Sequence, residues 1–83
     1  MISLEELKLN LTDAKIAFEQ MPADQRKQYN WSDWYTEYMT KSGLKTDRDE
    51  LGALLREADN AYHIEKEQFP WIDYISRYVV SRI

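Results

Sequence analysis

Cysteine is absent, glycine and proline occur twice each, histidine occurs once, and no long apolar run is present. Each shortage excludes something. Without cysteine there is no disulfide framework and no thiolate metal site, which suits a reducing compartment. Two glycines and two prolines leave too little punctuation for a many-stranded fold. No segment approaches the ~20 apolar residues that a bilayer span requires. The start, Met1-Ile2-Ser3-Leu4-Glu5-Glu6, lacks the basic region and the apolar run of a signal peptide. The expectation is a cytoplasmic chain, complete as it stands, that neither enters nor binds a membrane.

Positive charge is also scarce. Eleven Lys and Arg face fifteen Asp and Glu, for a net charge of −4. Residues 1–43 carry five basic and seven acidic side chains, and residues 44–83 carry six and eight. No basic block exists, so binding to a phosphate backbone has no footprint and a nucleic-acid partner is not expected. The acidity is too dilute and too mixed to imitate a nucleic acid. There is no glycine-rich phosphate loop, no HExxH and no calcium-loop pattern.

What the chain does have is apolar and aromatic surface: 43% of residues are hydrophobic and 13% aromatic, too many for a disordered segment. At 83 residues it is expected to be a single helical domain spanning 1–83. Ser3-Leu4-Glu5-Glu6 fits a capping box, and Leu4, Leu7, Leu11, Ala14, Phe18 and Met21 follow at alternating spacings of three and four. Pro22 interrupts this pattern, which predicts a first helix over about residues 4–20. Pro22 to Tyr29 reads as one or two helical turns. Asn30 is a good N-cap for a helix from Trp31 to Ser42, and Gly43 stands where a left-handed C-cap belongs. Thr46 or Asp47 starts another helix, running to about Gln68 with Leu51, Leu54, Leu55, Ala58 and Tyr62 on its buried stripe. Pro70 opens the last helix. The fold class is all-α, a small four-helix bundle.

The segment Gln28-Tyr29-Asn30-Trp31-Ser32-Asp33-Trp34-Tyr35-Thr36-Glu37-Tyr38 has an echo forty residues later, Gln68-Phe69-Pro70-Trp71-Ile72-Asp73-Tyr74-Ile75-Ser76-Arg77-Tyr78. Aligning residue 4 with residue 44 gives six identities, four of them in this window. The pattern is that expected of two repeated helical hairpins, residues 4–43 and 44–83.

Three sets of residues are candidates for function. Ile2, Leu9 and Ile16 are seven apart and, at about 100° per residue, fall opposite the main stripe of the first helix. Two opposed stripes mean a helix either sandwiched in its own domain or shared with a partner. The second case makes these three protein-binding residues. The aromatics form the next set. Three Trp and six Tyr against two Phe mean that most rings carry a polar tip, and Trp and Tyr dominate interface hot spots. Trp31, Trp34, Tyr35, Trp71 and Tyr74 are therefore candidates for protein contact, against the alternative that they pack hairpin on hairpin. Base stacking is disfavoured for want of flanking basic residues. The last set is Asp33, Asp73 and His63, which a metal-dependent hydrolase would need to bring together. Each Asp also suits the first turn of its helix, where it complements the dipole, and that reading is preferred. No cofactor, metal or catalytic residue is expected.

Together these features point to a non-enzymatic protein-binding module. Small acidic helical proteins without catalytic equipment are often intracellular inhibitors, such as immunity proteins, antitoxins, or phage and mobile-element proteins that block a host defence. That comparison is one of size and class. The partner is expected to be another protein, with a homodimer or a homo-oligomeric assembly subunit as the alternative.

Overall fold

In the computed structural model, which describes residues 2–65 and 70–83, the first helix begins at its cap. Ser3 is extended (φ −78°, ψ 154°), and its hydroxyl accepts the Glu6 N–H at 3.1 Å. Helix α1 runs Leu4–Glu19 and ends ahead of Pro22, which precedes a single turn, α2, Ala23–Arg26. Asn30 caps α3, Trp31–Lys41, its Oδ1 accepting both the Ser32 N–H at 3.0 Å and the Ser32 hydroxyl at 2.6 Å.

Helix α3 ends in a Schellman motif. Gly43 takes a positive φ of 109°. Its N–H donates to the Thr40 carbonyl and the Leu44 N–H donates to the Met39 carbonyl, both at 3.1 Å. Leu44 and Met39 are both buried, which supplies the apolar contact that accompanies this motif.

Helix α4 is Arg48–Glu65, with the Asp47 carboxylate accepting the Glu50 N–H at 2.9 Å. Its expected end near Gln68 lies outside the described residues. Pro70 leads into α5, Trp71–Val80. The fold is thus all-α, as the periodicity predicts, and the described helix boundaries agree with the caps to within one or two residues.

Helices α1 and α4 are the long ones, and each packs against both α3 and α5. The core they enclose centres on Leu7, Leu11, Met39, Leu51, Leu55, Ile75 and Val79, all essentially inaccessible. Leu11 and Leu51, forty apart, are both fully buried. The two short helices match more closely. Trp31 meets Trp71 edge to face, with centroids 5.8 Å apart. Trp34 stacks on Tyr38 at 5.4 Å as Tyr74 stacks on Tyr78 at 6.3 Å. Thr36 and Ser76 each bury a hydroxyl that has no hydrogen-bond partner among the described residues. The correspondence weakens in the long helices, where Leu7 matches Asp47 and Lys15 matches Leu55.

The glycines should respond oppositely to alanine. Gly43→Ala forces a side chain into left-handed backbone and should lower unfolding free energy by about 1 kcal/mol. At Gly52, inside α4, an added Cβ would meet its nearest neighbours, the Arg56 guanidinium and the Thr36 hydroxyl, at an ordinary 3.5 Å. Gly52→Ala should therefore raise stability by about 0.5–1 kcal/mol in urea titrations. A loss at Gly52 would mean that the α3–α4 seam has no room for a methyl group.

Candidate protein-binding surfaces

The outer stripe of α1 is shorter than its spacing implies. Leu9 is 67% exposed and Ile16 is 49% exposed, but Ile2 is only 9% exposed and joins the core. Ile2 must therefore be removed from the candidate surface. It precedes the extended cap residue Ser3, so helical angles do not apply to it. Instead it occupies the position of a hydrophobic staple, whose partner four residues into the helix is the buried Leu7. Beside the stripe, Glu5, Lys8, Leu9 and Thr12 line a shallow depression.

Tyr35 is the second correction. It is 5% exposed, enclosed by Trp31 at 5.3 Å, Phe18 at 5.5 Å and Trp71 at 6.3 Å, and it offers no surface to a partner. The buried face of α3 is Ser32, Tyr35, Thr36 and Met39. Trp31, Trp34 and Tyr38 therefore stand to one side of that face and remain half-buried. Two small polar residues point inward because α3 packs tightly against α4 there. Arg56 on α4 donates to the Ser32 hydroxyl at 2.9 Å, and Gly52 lies opposite Thr36.

Helix α5 follows a similar plan. Ile75, Ser76 and Val79 are buried, while Trp71 and Tyr74 are half-buried. Its polar tips are directed to carboxylates of α4. The Trp71 indole donates to Asp59 at 2.8 Å, the Tyr74 hydroxyl to Glu65 at 3.0 Å, and the Tyr78 hydroxyl to Glu57 at 2.7 Å. The hydrogen bond to Glu57 raises the Tyr78 phenol above its usual range.

On α3 the rings open onto solvent. Tyr29, Trp34, Glu37, Tyr38 and Lys41 line a groove of about 310 Å³. The sequence pattern places Trp34 on a contact face but does not single out Tyr29, Glu37 or Lys41. The available signal was the i, i+4 pair of Glu37 and Lys41 beside the ring pair Trp34 and Tyr38. Glu37 also borders a larger depression with Asp33, Thr36, Asp47, Arg48 and Asp49.

The three residues of the hydrolase reading have separate partners. Asp33 faces Arg56 at 3.6 Å, Asp73 pairs with Lys8 of α1, and His63 stands 3.3 Å from Asp59. Hydrogen bonding from Lys8 holds the Asp73 carboxyl below its usual value. Each first-turn aspartate thus reaches a base on the long helix of the other half of the chain. Among the described residues, no group of three or more His, Asp or Glu is placed to hold a metal ion. No helix among them is long and apolar enough to cross a membrane. Compared with known protein families, curated proteins and solved structures, the chain finds no significant match in any of the three.

Burial, with the Glu19 carboxylate adding to it, pushes the Tyr35 phenol up to about 12. A phenol that ionises less readily when folded contributes stability that is complete below its unfolded value of 10.0 and is lost as pH rises through about 12. Unfolding free energy should therefore fall across that alkaline window, and Tyr35→Phe should flatten the decline. Tyr78 leaves a residual slope. Urea titrations on either side of the window measure both. A variant that tracks the wild type throughout would place the Tyr35 ring in water.

Proposed function

We propose that the protein is a non-enzymatic protein-binding module, a small cytoplasmic inhibitor or regulator of the immunity, antitoxin or phage anti-defence type. One observation carries this reading. Leu9 and Ile16 remain exposed on the face of α1 opposite its buried Leu7, Leu11 and Ala14. Covering two such side chains would contribute roughly 2–4 kcal/mol, a useful share of an interface. Their seven-residue spacing presents them together to one surface.

Charge favours a different protein over a second copy. If two α1 helices paired antiparallel, Leu9 of one against Ile16 of the other, Asp13 beside the midpoint of the stripe would face its own copy. Like charges set opposite each other destabilise such a contact. A partner offering a neutral or basic side chain there meets no such opposition. The half-buried Trp31, Trp34, Trp71 and Tyr74 supply rigid amphipathic rings of the kind that dominate binding energy at interfaces.

Leu9→Asp tests the proposal. The variant should keep the far-UV circular dichroism and melting temperature of the wild type, since Leu9 contributes little to the core. Wild type and variant should both scatter light as monomers over a wide concentration range. In pull-downs from the native host, the partner captured by the wild type should be missing from the variant. If the wild type self-associates and Leu9→Asp abolishes this, the assembly-subunit reading takes over. If Leu9→Asp retains the partner, the α1 face is not the binding surface.

A further inference from the structure

We propose that the groove lined by Tyr29, Trp34, Glu37, Tyr38 and Lys41 receives an arginine side chain from the protein partner. The inference deepens the reading of the chain as a protein-binding module and rests on it, but it concerns a surface separate from the α1 stripe.

The chain contains its own precedent. On α5, Tyr74 and Tyr78 are stacked with an interplanar angle of 25°, and the Arg82 guanidinium lies over the Tyr78 ring, 3.6 Å from its centroid. A cation in that place is attracted by the negative face of the ring. On α3, Trp34 and Tyr38 are stacked in the same way, with an interplanar angle of 20°. The residue that corresponds to Arg82, four beyond the tyrosine, is Ser42, whose hydroxyl donates to the Tyr38 carbonyl at 2.9 Å. Among the described residues no guanidinium or ammonium stands over Tyr38. The first ring pair therefore has the aromatic half of a cation site whose cation the second pair supplies from within the chain.

Charge complements the shape. Glu37 lines the groove, and the neighbouring depression adds Asp33, Asp47 and Asp49 against the single base Arg48. Glu37 already meets Lys41 at 3.2 Å and Arg48 at 3.7 Å. Both pairs are exposed, and exposed ion pairs hold their partners weakly, so an incoming cation can displace one at little cost. A guanidinium suits the place better than an ammonium. It is planar, stacks on a ring, and can hydrogen-bond a carboxylate through two N–H groups at once. Phosphates of a nucleic acid or a membrane would meet carboxylates and be repelled.

The test is an NMR titration of the full chain with a glycine-flanked diarginine peptide, alongside the same peptide carrying citrulline or lysine instead. The arginine peptide should shift the Trp34 indole and the amides of Tyr29, Glu37 and Tyr38 saturably, the citrulline peptide should not, and the lysine peptide should bind more weakly. Ser42→Arg installs the cation that α5 already has. It should occupy the groove from within and weaken peptide binding roughly fivefold, the worth of one exposed cation–π contact. Ser42 is exposed, so this variant should fold as the wild type does. Tyr38→Leu should weaken binding by a similar factor. Equal shifts from the citrulline or lysine peptide, or undiminished binding by Ser42→Arg, would overturn the proposal. Leu9→Asp should leave the titration unchanged, so failure of the α1 surface and failure of the groove read out separately.

Discussion

The edge of one indole against the face of another, Trp31 on Trp71, is the contact on which both halves of the bundle lean. It joins the first residues of α3 and α5, the two helices that each lie between α1 and α4. Tyr35 packs against both rings and Asp59 fixes the nitrogen of one, so the pair is held from α3 and from α4 at once. Edge-to-face geometry sets the positive rim of one ring against the negative face of the other, which orients the helix starts as well as burying area. The two tryptophans are also the pair forty apart that the internal comparison matches. A residue that touches its own counterpart must lie near any axis relating the two halves. The aspartates two residues further on then reach outward in opposite directions, Asp33 to Arg56 and Asp73 to Lys8.

Much of this architecture could be read from the chain because its helices are bounded by local chemistry. Ser3, Asn30, Gly43 and Pro70 act within a few residues, and each bounds its helix as its side chain or backbone requires. Angular position along a helix was less legible. The pattern of α3 weights the large rings, but the helix turns Ser32 and Thr36 inward so that it can approach Gly52 and Arg56. A sequence pattern scores hydrophobicity, whereas a close helix crossing selects for small size, and the two criteria favour different faces. Ile2 was misplaced for a related reason. A 100° step extrapolated past the cap assigns an angle to a residue that is not in the helix. The α3 groove was harder still to foresee, since it depends on Tyr29, outside any helix, meeting α3 side chains.

The polar tips of the aromatic residues separate the two halves. On α5 the indole of Trp71 and the hydroxyls of Tyr74 and Tyr78 all donate to carboxylates of α4. That helix extends to Glu65, long enough to supply all three acceptors. Helix α1, the counterpart of α4, ends at Glu19, and where α4 has Glu57 it has Ala17. Among the described residues, the Trp34 indole and the Tyr38 hydroxyl accordingly have no protein acceptor, although their rings pack as Tyr74 and Tyr78 do. If ring burial were the only task of these residues, phenylalanine would serve on α3 without leaving a donor to be hydrated. The polar tips kept there are consistent with the proposal that a partner's side chain completes this groove. The same half contains the exposed Leu9 and Ile16, although exposed apolar side chains (Ile64, Ile83) and an unpartnered hydroxyl (Ser76) occur in the second half as well. The asymmetry lies in the aromatic helices themselves: α5 turns its polar tips onto α4, and α3 leaves those of Trp34 and Tyr38 to solvent.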